Sequence, residues 1–391
     1  MKRILSTIVL GLAFMGTLQA QELTNFAFWG QKPIVSPEIQ NDSVTFRLKA
    51  DYATVVKLNG SWMANPWMDT IDMKRGENCV WEVKIPLPAP EIYTYTFYVD
   101  GVSVNDPQNV LVQRDGTRYL PMLLVPGERT ENYGEAHQHG TVSHPWYTSK
   151  ILGMDRRLTV YTPYGYENNP KKKYPVLYLL HGAGGDEEAW TSMGRTAQIL
   201  DNLIEKGLAE PMIVVMPNGN ANQAAARTLN IPEKPMGNRW DREAFEKMSE
   251  AEKDLVMNGY VRSLCTEIVP FIEKNFRAIA KPASRAIAGL SMGGGHTIQA
   301  SILYPELFDY ICPLSAAGSA TPEQIAALKK AGVKLYFLAC GNTDFLFKGA
   351  EEMHAKLLEQ GLEHEYFVSD GGHVWSNWRL YLNTFAQKLF K

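Results

Sequence analysis

The stretch IAGLSMGGGHT, residues 287–297, sets Ser291 between Gly289 and Gly293, with Gly294 and Gly295 following at once. A serine hydroxyl is a weak nucleophile until a neighbouring base takes its proton. A G-x-S-x-G turn suits that chemistry because it lifts the serine to the end of a strand, where a base can reach it. The same residues also suit a small-residue turn without chemistry, so the rest of the chain must supply a base, an acid and an oxyanion hole. His373, in SDGGHVWSNW, is the best-placed base: two glycines precede it and an apolar strand ends just before them. Asp344, in ACGNTDFLF, is the favoured acid to orient that imidazole, with Asp370 as rival. The chain order Ser291, Asp344, His373 is the one this kind of site uses on a parallel sheet. Oxyanion donors are expected from the N–H of Met292 and from the loop in LLHGAGG, at Ala183 or Gly184.

These residues need rigid elements to hold them. After residue 150 short apolar runs such as YPVLYLL, PMIVVMP, SRAIAGL, FDYICPLS, VKLYFLA and HEYFVSD alternate with helical stretches. Near-continuous apolar strands read as a sheet buried on both faces, and the alternation implies crossovers and a mostly parallel arrangement. Ser291 then sits at a strand-to-helix turn. Gly289 and Gly293 keep that turn free of bulk, and Gly294 and Gly295 are expected to let the first helical turn approach the sheet. His181 is read as shaping its loop.

Residues 40–125 follow a different period. SVTFRLKA puts Val44, Phe46 and Leu48 on one face, VWEVKIPL does the same with Trp81, Val83 and Ile85, and YTYTFYVDG alternates likewise. Such half-buried strands, separated by turn signals, predict an immunoglobulin-like β-sandwich. The organisation expected is a signal peptide at 1–20, a sandwich at 21–125, a linker at 126–144 and an α/β domain at 145–391. The sandwich is expected to fold alone, and the α/β domain to turn over a small ester without it.

The chain has 391 residues, 45% hydrophobic and 21% charged, with a formal net charge of −3. That balance gives no basic field for nucleic acid. MKR followed by ILSTIVLGLAFMGTL and then LQA reads as a leader cleaved after Ala20, so the mature protein is expected to be secreted or periplasmic and not membrane-bound. Four cysteines, at 79, 265, 312 and 340, show no metal spacing. They read as buried thiols, with a disulfide between Cys312 and Cys340 left open. His137, His139 and His144 read as solvated linker residues, and no metal or organic cofactor is expected.

The stretches VYTPYGY, YPVLYLLHGAGGDEEAW, MIVVMPNG, RAIAGLSMGGG, GNTDF and GGHVWSNWR together resemble carbohydrate esterase family 1, the α/β-hydrolases that include feruloyl and acetylxylan esterases. The resemblance spans nearly all of residues 145–391 and implies the triad Ser291, Asp344 and His373, in agreement with the reading above. VKLNGSWM, VWEVKIPLPAPEIYTYTFYVDG and NDPQN resemble the early-set sandwich of family 48 carbohydrate-binding modules. The implied function is a serine esterase releasing hydroxycinnamate, ferulate above all, from plant arabinoxylan or its oligosaccharides. An acetylxylan esterase, or a glycan-binding protein on an inactive hydrolase scaffold, are the alternatives. Residues 218–260 are longer and more polar than a simple crossover and are expected to lie over the site. Trp190, Trp240 and Trp375 are the candidate contacts for a phenolic acyl group. On the sandwich, Trp62 and Trp67 are candidates for stacking on sugars, unless the sandwich only braces the esterase.

Overall fold

The computed structural model describes residues 34–226, 245–316 and 318–391. The candidate leader at 1–20 and Trp240 lie outside the described residues. The chain divides into two compact units. Of the described residues, one takes those through Asn59, then Met68–Leu87 and Phe97–Val110; the other takes Gly60–Trp67, Pro88–Thr96 and those from Leu111 to Lys391. This division is interleaved, whereas the alternating strands and turns read from the sequence continue as one domain to residue 125.

The first unit is β-rich. Its four-stranded antiparallel sheet has the order Glu38–Gln40, Ser43–Lys49, Val80–Pro86, Lys74–Arg75. Period-2 alternation sets the register: Val44 pairs with Ile85, Phe46 with Val83 and Leu48 with Trp81. Val44, Phe46, Leu48, Trp81 and Ile85 are all buried, as alternation on a one-sided sheet requires. In the same unit Val102–Val104 folds back on Phe97–Val99 through Asp100 and Gly101, both at positive φ, as a tight hairpin turn demands.

The second unit is built on a nine-stranded mixed sheet. Its order is Thr141–Ser143, Met154–Thr162, Ile213–Pro217, Val176–Leu180, Arg285–Leu290, Tyr310–Leu314, Leu335–Gly341, Glu365–Ser369, with Trp146–Ser149 pairing Met154–Thr162 off that path. The pairings at Met154–Thr162 are antiparallel, and from Ile213–Pro217 to Glu365–Ser369 they are parallel. Every residue of Val176–Leu180, Ile213–Pro217, Arg285–Leu290 and Tyr310–Leu314 is buried. That explains the uninterrupted apolar runs. Tyr178, Ile287 and Ile311 pack on one face with Tyr260, Leu264 and Ile298. Leu177, Ala286 and Ala288 pack on the other with Ile199, Leu203, Trp378 and Phe385. Each fully buried leucine or isoleucine contributes about 1.5–3 kcal/mol, so a sheet covered on both sides is a stiff platform for the loops at its strand ends. All four cysteines are free thiols, and Cys312 and Cys340 are buried on neighbouring strands. Burial, with the Asp344 carboxylate nearby, pushes the Cys340 thiol up to about 12.

The N-terminal part of this unit is also β. Arg118–Leu124 pairs antiparallel with Val112–Asp115 and, through Met122 and Leu123, with Thr94 and Tyr93. No described helix is long and apolar enough to cross a membrane.

Candidate active site

Ser291 stands between the strand Arg285–Leu290 and the helix Met292–Leu303, at φ 53 and ψ −115. A non-glycine residue in that region is strained by about 1–3 kcal/mol and persists only when its surroundings over-determine it. They do so here by close contact. A Cβ at Gly289 would lie 2.4 Å from the Gly293 carbonyl oxygen, and one at Gly293 would lie 2.6 Å from the carbonyl oxygens of Leu180 and His181. A Cβ at Gly294 would lie 2.5 Å from that of Ala316. The Ser291 N–H donates to the Leu314 carbonyl at 2.9 Å, pinning the turn to the next strand. Gly295 differs from the expectation: a Cβ there meets nothing within 4 Å, because it points away from the sheet.

Two neighbouring parallel strands carry the next pair. Leu335–Gly341 and Glu365–Ser369 run side by side, and the loops beyond them are laced together. Thr343 N–H donates to the Gly371 carbonyl at 3.1 Å, and Asn377 Nδ2 donates to the Gly372 carbonyl at 3.0 Å. Gly341 permits this approach, since a Cβ there would lie 2.2 Å from the Gly371 oxygen. The result places His373 Nδ1 2.9 Å from Asp344 Oδ2 and 3.0 Å from Oδ1. The Asp344 side chain is fully buried, and its Oδ1 also accepts the Leu346 N–H at 2.9 Å. Asp370 instead accepts from Asn342 Nδ2 at 2.8 Å. Trp378 stands edge-on to the His373 ring at 4.9 Å, and its indole N–H donates to Ser315 Oγ.

The HGAGG loop approaches the elbow closely. A Cβ on Gly182 would lie 2.5 Å from Leu290 Cδ1 and 3.2 Å from Ser291 Cβ. His181 is 1% exposed; its Nδ1 donates to the Gly182 carbonyl and its Nε2 accepts the Gly219 N–H, both at 2.7 Å. That pattern needs the neutral ring, and burial holds its pKa below the usual histidine range. His181 therefore shapes the loop, as its sequence setting implies. Gly184 takes φ +81.

Beyond the glycines the loop is held by charge. Asp186 receives Arg114 Nη1 at 2.9 Å and Nη2 at 2.6 Å, and Arg114 Nε reaches Glu188 at 3.1 Å. The Arg114 N–H also donates to Ser192 Oγ at 2.5 Å. Burial opposes the charge of Arg114, but the hydrogen bonds and charges of Asp186 and Glu188 outweigh it and raise its pKa. Arg157 binds Glu187 at 2.7 Å and also contacts Glu188. A second brace joins Glu91 to Arg379 of the last long helix, Trp375–Phe385, at 2.9 Å.

Ser291, His373, Ala183 and Gly184 line one cavity of about 570 Å³. Leu290, Ala189, Met193, Trp375 and Trp378 give it an apolar wall, and Trp67, Thr94 and Asp115 complete it. Of the described tryptophans singled out as acyl contacts, Trp375 is in that lining. Trp190 is 1% exposed, donates to the Leu180 carbonyl at 2.9 Å and meets the cavity through Trp375, whose ring it touches edge-on at 5.3 Å. Trp62 packs edge-on against Tyr93. Trp67 stands at the cavity with the candidate nucleophile, a placement that the exposed run NPWM alone does not reveal. Arg114, Thr94 and Asp115 carry no motif at all. Met292 is the first residue of its helix, directly after Ser291.

Residues 149–329 match a family model described as a putative esterase. An endo-1,4-beta-xylanase/feruloyl esterase of Xylanibacter ruminicola is 33% identical over 331 residues, 82% of this chain and 41% of that protein. The chain thus spans less than half the length of this relative. A solved ferulic acid esterase is 28% identical with a TM-score of 0.50, covering 64% of this chain and 98% of its own. The fold is that of the α/β-hydrolase esterases. The enterobactin esterase of Shigella flexneri, at 16% identity and a TM-score of 0.61, covers 94% of this chain and 98% of its own. It extends the likeness in fold to the N-terminal β-rich region.

Proposed function

We propose that this chain is a serine esterase that releases hydroxycinnamate, ferulate above all, from feruloylated arabinoxylan or its oligosaccharides. Ser291 Oγ attacks the ester carbonyl carbon. His373 takes the hydroxyl proton and passes it to the departing sugar oxygen, leaving an acyl-enzyme. Water, deprotonated by the same ring, then adds to the acyl carbon, and its proton returns to Ser291 as ferulate leaves. Asp344 holds Nδ1 of the ring so that Nε2 serves Ser291, and it stabilises the imidazolium. The N–H groups of Met292 and of Ala183 or Gly184 stabilise the oxyanion, each with a value of about 100- to 1,000-fold in rate.

The observation that carries this reading is the buried Asp344 carboxylate bonded to His373, at a cavity that also holds the strained Ser291. Trp375 and Trp378 in that cavity favour an aromatic acyl group over acetate. The relatives named as feruloyl esterases support the same choice. The N-terminal unit is read as an immunoglobulin-like, carbohydrate-binding-module-like sandwich, and residues 1–20 as a cleaved export signal. Turnover of methyl ferulate, methyl coumarate and an aryl acetate by one preparation tests the acyl preference. The cinnamate esters are expected to win by at least about tenfold in kcat/KM. A strong preference for acetate would make the enzyme an acetylxylan esterase instead.

A further inference from the structure

We infer that Trp67, Thr94 and Asp115 form a glycan subsite on the alcohol side of the esterase cavity, an inference that rests on the esterase reading above. All three line the cavity that holds Ser291 and His373. Its two ends differ in character. Leu290, Ala189, Met193 and Trp378 are each under 8% exposed and make an apolar interior, whereas Trp67 is 89% exposed. An ester has two sides. The flat acyl group gains from the dry end, and the alcohol, when it is part of a polymer, has to leave through the open end.

The open end offers the groups that a sugar ring uses. A pyranose or furanose presents C–H faces, which pack on an indole, and hydroxyls, which need acceptors and donors. Trp67 supplies the indole. Asp115 supplies a carboxylate, of which Arg118 takes one oxygen at 2.6 Å, leaving acceptor capacity for hydroxyl donors. Thr94 adds a hydroxyl that both donates and accepts.

Hydrogen bonds tie the start of the Trp67 loop to Thr94 and order the turn at Trp67 itself. Ser61 N–H donates to the Thr94 carbonyl at 2.9 Å, and Thr94 N–H donates back to Ser61 Oγ at 3.0 Å. Trp67 N–H donates to Asn65 Oδ1 at 3.2 Å. A large indole held out into water gives up hydrophobic burial in the free protein and recovers it on binding. A negative carboxylate at the rim also disfavours an acidic alcohol group and suits a neutral glycan.

The test separates this subsite from the chemistry. Binding of an unesterified arabinoxylo-oligosaccharide to Ser291→Ala is measured by titration calorimetry, alone and with Trp67→Ala or Asp115→Asn added. Trp67→Ala is expected to weaken binding about tenfold and Asp115→Asn about threefold, as central contacts of a small site do. Trp67 is almost fully exposed, so its removal leaves the fold intact. In the active protein, Trp67→Ala should lower kcat/KM for a feruloylated oligosaccharide about tenfold more than for methyl ferulate. Equal affinities in parent and variants, both undetectable included, would overturn the subsite even if methyl ferulate is cleaved. A protein that cleaves no ester yet loses glycan binding with Trp67→Ala would sink the esterase reading and keep the subsite.

Discussion

At residues 289–295 the backbone is fixed by contact, and at residues 181–188 it is fixed largely by charge. The elbow has no room: Gly289, Gly293 and Gly294 each face an atom within 2.6 Å of where a Cβ would sit, so Ser291 has nowhere to relax. The facing loop has its own tight glycine at 182, but from 186 onward it is tied by Arg114, Arg157 and their carboxylate partners. Sterics act over a few residues of chain. The Arg114–Asp186 pair joins residues 72 positions apart. One side of the cavity is therefore stiff by local sequence, and the other depends on a hairpin far upstream.

The largest expected effect is on the chemistry both regions serve. Asp344→Asn should lower kcat about 10⁴-fold by leaving the imidazole in the wrong tautomer, and Ser291→Ala or His373→Ala should cost at least as much. Asp370→Asn should stay within about twofold, since Asp370 bonds Asn342 and not the imidazole. Steady-state kinetics on methyl ferulate, with circular dichroism as the control for folding, decides between the two acids.

The steric half of the comparison is sharpened by two glycines two residues apart. Gly293→Ala should destabilise by about 1–3 kcal/mol or more through overpacking against the Leu180 and His181 carbonyls. Gly295→Ala should stabilise by up to about 1 kcal/mol, because it adds a methyl in open space on a helix. Thermal melts that moved the same way for both would break the contact account of the elbow.

The charge half is tested at Arg114. Arg114→Met leaves Asp186 buried without its cation, and removing one partner of a buried pair costs about 3–5 kcal/mol. With the fold retained, kcat should fall about 10- to 100-fold with KM within about threefold, because the oxyanion donor proposed for this loop would be used only in the transition state. Guanidinium added to Arg114→Ala should restore part of that loss. A variant with normal kcat would mean that the glycines alone hold the loop.

How much of this was legible follows from the same contrast. Ser291, Asp344 and His373 lie on strand ends with small or turn-forming neighbours, so their pattern and order could be read from short stretches. Gly295 looked like its neighbours, because sequence does not say which helical glycine faces the sheet. Trp190 and Trp67 exchange the places their surroundings suggest. Trp190, next to an acidic loop, is buried, and Trp67, in a run that reads as sandwich, stands at the cavity. Residues 60–67, 88–96 and 111–124 fall inside the 40–125 stretch whose strands alternate, yet they group with the second unit. Alternation reports one buried face and not which core it faces. Glu91 and Arg114 therefore fall within a sandwich ending at 125 by pattern, and with the second unit by contact. On that account, cutting the chain after 125 should cost small-ester turnover far more than tenfold, contrary to the independence that the pattern implies.

A further expected effect is on stability against pH. His181 is held neutral in the fold, with its pKa below the unfolded value of about 6.5. Below about pH 6.5 the unfolded chain takes up a proton that the folded chain refuses, so this contribution is full above that pH and is lost as pH falls toward the depressed folded value. The unfolding free energy from urea titrations should drop between pH 7.5 and 5, by up to about 1.4 kcal/mol per pH unit below about pH 6.5 from this one group. His181→Gln should flatten that part of the curve.

The central claim is that Asp344 and His373 make Ser291 a nucleophile, and labelling by a serine-directed aryl phosphonate tests it most directly. Intact mass and peptide mapping should show one adduct per chain, on Ser291, formed rapidly in the native protein and at least about 100-fold more slowly in Asp344→Asn. Folded protein that takes no label, or takes it on another residue, would contradict the account.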